Sequence, residues 1–383
     1  MLSPETLYQL VPRDPAGNLR FRAWACSRTD PAERRALAAA CRADVVFWMD
    51  TFTWAFDPRR KGDGERVRPF VTWDYQREAV LKRPGGLLWL FDQGETGLIE
   101  KSRDMGATVL CLKVVLWACL FHDYSQVLVN SRNEDLVDSA SPDSLFWKLR
   151  FDLERMPRWL TGEVKDGGGV LTFKGSGSTL VGEATTAKTG VGGRATCYFG
   201  DEFAENPHAQ VVREKTASTA ETRIFNGTHK GVGTAFFAMS QTPEITKLVF
   251  HWSQHPEKRR GLYAYDPDRP TVPRVIDTSY PFPADYPFVL DGTPTGGPFP
   301  GLRSPWYDQK CVAIGNARAI AQDLDINPAG AASQEFDPLL VRELRATTAR
   351  PPAWEGVVEA GRLLRRPGGA VKLWLPVDAD GRP

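Results

Sequence analysis

The chain has 383 residues, 42% apolar and 25% charged, with a formal net charge of +1. That length exceeds the usual size of one core and favours one large domain with a smaller lobe or tail. The near-zero charge excludes a global basic field for coating nucleic acid, but leaves room for a local stripe of phosphate contacts.

Residues 31 to 53 carry Ala, Leu and Arg at helical spacing and predict one helix. "WAFDPRRKGDGERVRP" is a polar connection marked by Gly and Pro. "PFVTWDYQREAVLKRPGG" predicts a short extended entry and a helix ending at Gly85 and Gly86. Strand then alternates with helix: "LLWLFD" and "TGLIE" as strands, Thr108 to Phe121 as helix, "SQVLVNS" as strand. "NEDLVDSASPDSLFWKLRFDLERM" is helical with a break at Pro142, and "GGVLTFKGSGSTLVGEA" a β-hairpin. "ATCYFGDE", "AQVVREKTASTAE" and "TRIFNG" follow as strand, helix and strand. This alternation predicts an α/β fold with a mostly parallel sheet and helices on both faces. Residues 255 to 305, rich in Pro, Asp, Tyr and Gly, predict long ordered loops with an edge strand from Arg274 to Thr278. "SPWYDQKCVAIGNARAIAQDLD" predicts a helix or helix pair, and "AVKLWLPV" a last strand.

None of the six cysteines forms a C-x-x-C pair, so they are expected to be reduced core residues of a cytosolic protein. The five histidines are scattered, against a zinc site. "MLSPETLYQLVPRD" lacks the profile of a signal peptide. The longest apolar run, Val109 to Phe121, contains Lys113 and is too short to span a bilayer, so no membrane is expected as a partner.

The chemistry concentrates in "GLIEKSRDMGATVLCLKVVLWACLF". A strand, a tight turn and a helix stand where a nucleotide-binding protein carries G-x-x-x-x-G-K-[ST]. Here Lys101 occupies the first Gly position and Ala107 the usual Lys position. A phosphate loop needs small residues, a hydroxyl for Mg²⁺ and a cation, with backbone N–H groups facing inward at a helix N-terminus. Gly106 and Ala107 are small, Thr108 supplies the hydroxyl, and Lys101 or Arg103 the charge. A solvated turn is the plain alternative. "ATCYFGDEFAE" adds an apolar run ending in Asp201 and Glu202, as expected of a strand beside the loop strand. The Asp would accept from Mg²⁺-bound water, and the Glu would orient and deprotonate the attacking water. Gln76 in "PFVTWDYQ" could read adenine's N6 and N7 edge, with Tyr75 or Trp73 stacking. Thr228 in "IFNGTHKGVGTAFF" could sense the γ-phosphate. Arg103 and Arg194 are candidates for stabilising transition-state charge, Arg103 within its own subunit and Arg194 toward a neighbour. Lys258, Arg259 and Arg260 form either a basic patch or a solvated charge run.

The order of these motifs resembles the large terminase subunit of tailed bacteriophages, the DNA-packaging ATPase. "FTWAFDPR", "FVTWDYQ", "EKSRDMGAT", "VNSRNEDLVD", "GVGGRATCYFGDEFAE", "NGTHKGVGTAFF", "HWSQHP" and "SPWYDQKC" through "IAQDLDINPAGAASQEF" carry the resemblance, over residues 50 to 340. It implies a P-loop NTPase of the ASCE or RecA-like kind with a small helical lid subdomain. The phosphate loop would be Lys101, Ser102, Arg103, Asp104, Met105, Gly106, Ala107 and Thr108, with its lysine moved to the front. Gln76 would belong to the adenine motif, Thr228 to the coupling motif, Asp201 and Thr108 to the metal, and Glu202, Arg103 and Arg194 to catalysis. ATP and Mg²⁺ are the implied cofactors. Double-stranded DNA, the portal protein, the small terminase subunit and a homo-oligomeric, pentameric ring are the implied partners. The implied location is the host cytoplasm, docked on the procapsid portal. Residues 1–60 would form the helical lid segment, 61–345 the ATPase domain, and 346–383 a tail toward an RNase H-like nuclease expected to be absent. Asp378 and Asp380 in that tail could not hold two metals alone. A helicase-like ATPase of another lineage and a non-hydrolysing nucleotide-binding assembly adaptor are the competing functions.

Overall fold

Three aspartates start the first three helices. Asp14, Asp30 and Asp44 accept from first-turn amides of α1 (Pro15–Cys26), α2 (Pro31–Ala43) and α3 (Val45–Phe52), satisfying donors that a helix N-terminus leaves open. The helix expected from 31 to 53 is therefore two, divided where Asp44 turns extended to cap α3. The computed structural model describes residues 4–62, 66–185, 193–265, 271–290, 297–331, 347–348, 350–359, 362–368 and 370–374. Asp378 and Asp380 lie outside the described residues. Two compact units divide the chain, Met1–Ala332 and Ser333–Pro383.

In the first unit, β1 (Trp54–Phe56) pairs antiparallel with β2 (Val67–Pro69), and α4 (Asp74–Leu81) follows. "LLWLFD" is not a strand but part of helix α5 (Leu87–Gln93). Leu87 and Leu90, three apart, are its fully buried residues, and left-handed Gly94 closes it. A short apolar run flanked by glycines has no periodicity to separate strand from helix, and packing of one helical face decided it.

The central elements follow: β3 (Thr96–Lys101), α6 (Ala107–Phe121), β4 (Gln126–Ser131), α7 (Glu134–Val137), α8 (Leu145–Arg155) and α9 (Arg158–Thr161). After them come β5 (Val164–Gly167), β6 (Val170–Phe173), β7 (Ser178–Ala184), β8 (Ala195–Gly200), α10 (Ala209–Thr219), β9 (Ala220–Gly227), α11 (Ala235–Ser240) and β10 (Thr246–Phe250). Eight strands form one sheet in the order β10-β3-β9-β8-β4-β7-β6-β5. It is parallel from β10 to β7, and β6 and β5 extend it antiparallel. The hairpin expected over residues 168 to 184 is β6–β7, with β7 also parallel to β4.

Alternation along the strands supplies two cores. Ile99, Cys197, Phe199 and Ile224 join one with residues of α3, α6 and α8. Leu98, Tyr198 and Phe225 join the other with Val212 of α10 and Phe236 and Met239 of α11. The sheet is thus covered on both faces, as parallel sheets require. The N-terminal helices share the first core. So does α6, which follows the loop and is buried nearly all round. Its one charge, Lys113, pairs with Asp152 of α8, and both are bound to the Trp54 backbone.

Beyond the sheet, β11 (Tyr263–Ala264) pairs with β12 (Arg274–Val275) and β13 (Leu302–Arg303), so the expected edge strand at 274 is short and sits in its own small sheet. Helices α12 (Pro305–Ile314) and α13 (Ala317–Asp323) complete the unit. In the second unit, β14 (Trp354–Glu359) pairs antiparallel with β15 (Arg362–Arg365) and β16 (Val371–Leu373). Among the described residues no helix is long and apolar enough to cross a membrane.

Candidate nucleotide and metal site

In a parallel sheet, side chains at the carboxyl ends of neighbouring strands meet in one crevice. Here β3 ends at Lys101, β8 runs into Asp201 and Glu202, and β9 ends at Gly227. The strand carrying the acids is not beside the loop strand as expected, because β9 lies between them. That spacing lets a residue of β9 reach both sides.

Lys101 Nζ donates to Glu202 Oε1 at 3.0 Å and to Thr228 Oγ1 at 3.3 Å. Thr108, in the first turn of α6, donates through Oγ1 to Asp201 Oδ1 at 2.8 Å. Asn226 Nδ2 donates to Asp201 Oδ1 at 2.6 Å and to Thr108 Oγ1 at 3.2 Å. Lys101, Thr108, Asp201, Glu202 and Thr228 are therefore brought together. Ala107 is 1% exposed and belongs to the first core.

Asn226 was not singled out from the sequence. Its only signal was a polar residue ending a strand that otherwise reads apolar, "RIFN". Its Oδ1 is buried with no partner among the described residues. Asp201 is also buried. Burial first, and the adjacent Glu202 second, push its pKa up against the pull of Lys101, Thr108 and Asn226. A buried carboxylate with incompletely compensated charge beside a hydroxyl is a donor set that suits Mg²⁺. That ion takes one or two protein oxygens and fills its octahedron with water and phosphate. Among the described residues no group of three or more His, Cys, Asp or Glu could form a closed metal cage.

Backbone conformation marks the same places. Asp104 (φ 60°) and Glu202 (φ 48°) are left-handed without being glycine, a conformation that costs on the order of 1–3 kcal/mol and persists where surroundings hold it. Gly106 (φ 72°) caps α6, and a Cβ there would stand 3.0 Å from Gln76 Nε2.

The adenine-motif residues are placed differently from expectation. Gln76 is buried, and its Oε1 accepts from the Trp73 amide at 2.9 Å, capping α4. Tyr75 is buried against Phe250 and donates to the Met105 carbonyl at 2.7 Å, so it is not free to stack on a base. Trp73, Gln76, Asp104 and Gly106 do border a cavity of about 810 Å³, large enough for a nucleoside. Lys148 of α8 lines it too, and Asp201 acts on that ammonium electrostatically.

Neither candidate arginine joins the cluster. Arg103 is largely exposed and pairs with Asp323 at 2.8 Å, while its amide donates to the Asp323 carbonyl. Arg194 is exposed and precedes β8. The strand's length puts it about 20 Å from its own Asp201, at the opposite edge of the sheet. Ser102 bonds the Leu324 carbonyl, tying the front of the loop to the end of α13. His229, 1% exposed, bonds Glu100 of β3 at 2.6 Å and so fixes the exit of β9 beside Lys101. Lys258 belongs to neither a patch nor a solvated run, being 7% exposed beneath the loop.

No protein-family model matches the chain, and no curated protein matches it in sequence. Among solved structures it is similar to the HK97 bacteriophage large terminase, at 13% identity over 54% of this chain and 43% of that one, with a TM-score of 0.41. It is similar to the large terminase of a thermophilic bacteriophage in complex with ADP, at 17% identity over 48% and 46%, TM-score 0.36. It is also similar to the Thermus phage P74-26 large terminase ATPase domain, at 13% identity over 50% and 85%, TM-score 0.39. The chain spans less than half the length of the first two. In its own mostly parallel sheet the loop follows β3, the acids follow β8, and one strand, β9, lies between them.

Proposed function

We propose that this chain is the ATP-hydrolysing part of a viral DNA-packaging motor. One observation carries the hydrolytic half: an ammonium, a helix-borne hydroxyl, two acids and a strand-borne amide converge at the carboxyl edge of the sheet. Lys101 would hold the β and γ phosphates, and Thr108 and Asp201 the metal. Glu202 would orient the attacking water and take its proton. Mg²⁺ held by Thr108 and Asp201 would supply neutralisation of the phosphate charge. Asn226 holds Thr108 and Asp201 in register, and Thr228 stands where it can answer to the phosphate through Lys101.

The DNA-packaging half rests on the motif order from "EKSRDMGAT" to "GGRATCYFGDE". Duplex DNA, a portal, a small subunit and a ring of five copies belong to this proposal, as does action at the procapsid in the host cytoplasm. In such a ring Arg194 could serve catalysis only at a neighbour's site. The test is steady-state ATP hydrolysis with and without duplex DNA, for the wild type and Glu202→Gln. Hydrolysis stimulated by DNA and lost in the variant is expected. Equal turnover in both would sink Glu202 as the base, and no turnover in either would leave the adaptor function.

A further inference from the structure

Three consecutive carbonyls of the loop are each gripped from behind. Lys258 Nζ donates to those of Arg103 and Asp104, both at 2.9 Å. The Tyr75 hydroxyl donates to that of Met105 at 2.7 Å. Lys258 is built into this position: it is 7% exposed, with its ammonium 4.7 Å from the Trp306 ring centroid and 3.6 Å from Met105 Sδ. Its own carbonyl accepts from Ser304, the N-cap of α12. Among the described residues, no protein acceptor meets the amides of residues 104 to 106. A peptide unit has its C=O and N–H on opposite sides, so fixing a run of carbonyls on one side presents the amides to the other. Left-handed Asp104 is the residue whose backbone most needs holding.

We propose that Lys258 and Tyr75 are positioning residues that brace the phosphate loop from its carbonyl side, keeping its amides aimed at a triphosphate. The proposal rests on the nucleotide reading of the site. Lys258 also adds positive potential behind a loop whose helix begins with Ala107 rather than lysine. Among the described residues neither hydrogen-bonds Lys101, Thr108 or Asp201, so the brace is separable from the chemistry. Burial holds the Lys258 pKa down to about 8; Asp104 and Glu257 favour its charged form, while Arg59 and Lys310 oppose it. The imidazoles of His251 and His255, the other titratable groups nearby, are held neutral by burial and by Lys258 itself.

The experiment is titration calorimetry with ATP on the wild type, Lys258→Met, Tyr75→Phe and Lys101→Ala, alongside melting without nucleotide and steady-state kinetics. Lys258→Met should weaken ATP binding and raise KM about tenfold or more, with kcat within about threefold and no loss of melting temperature. Tyr75→Phe, which keeps the ring, should weaken binding about threefold. Wild-type affinity should fall as pH rises through about 8, and Lys258→Met should lack that fall. A folded Lys258→Met with wild-type affinity overturns the brace alone. A wild type that binds no ATP overturns the brace and the nucleotide reading together. Should Lys258→Met fail to fold, unchanged affinity in Tyr75→Phe overturns the brace.

Discussion

Lys101 and Glu202 are 101 positions apart in the chain, yet their charged ends meet at 3.0 Å across the top of β9. The contact ties the last residue of the loop strand to the second acid, so on the proposed function phosphate occupancy and freedom of the acid would be linked. Without phosphate, Glu202 is engaged by the ammonium. On the proposed function, Lys101 turning to phosphate would release Glu202 to act on water.

Removing the acid should therefore separate binding from turnover. Glu202→Gln is expected to lower kcat by about 10²-fold or more while ATP affinity stays within a few-fold. Lys101→Ala should lose affinity and turnover together, and Ala107→Lys should not restore them, because position 107 is buried. Single-turnover kinetics beside equilibrium binding checks both. Full activity in Lys101→Ala would mean that another cation serves the phosphates.

Asn226→Ala should lower kcat by roughly 10- to 100-fold and weaken Mg²⁺ dependence, since Thr108 and Asp201 would lose the amide they share. Asn226→Asp should be worse, adding a charge beside a carboxylate whose pKa is already pushed up. Activity against Mg²⁺ concentration measures this, and a wild-type profile in both variants would remove Asn226 from the site.

Stability should depend on pH through Asp325. Burial raises its pKa to about 7, against the hydrogen bond from Tyr307. A carboxyl raised in the folded state binds more protons there than when unfolded, so its contribution falls as pH climbs from about 4 to about 7. The full span is on the order of a few kcal/mol. Asp325→Asn should melt higher than the wild type at pH 8 and no higher at pH 4.5. Identical differences at both pH values would contradict the assignment.

The buried Lys113–Asp152 pair joins the loop helix α6 to α8 and to the Trp54 backbone. Breaking it one-sidedly, as in Lys113→Met, should cost about 3–5 kcal/mol, because an uncompensated charge stays buried. The double variant Lys113→Met, Asp152→Leu should recover much of that loss. Denaturant titration of the three proteins decides it, and additive losses would argue against coupling.

Sequence alone determined the α/β alternation, the turn before α6 and the acids after β8. Each is local, resting on residues within one strand, turn or helix. What it left open is non-local. "LLWLFD" needed a packing partner to become a helix, and Lys258 in "PEKRRG" looked like any solvated charge until the fold placed it under the loop. Arg103 and Arg194 were equal candidates as written, but strand direction sends one to Asp323 and the other to the far edge of the sheet. Asn226 gains meaning only because β9 is inserted between β3 and β8. Strand order is set by which apolar faces pack together over the whole chain, and no single stretch encodes it.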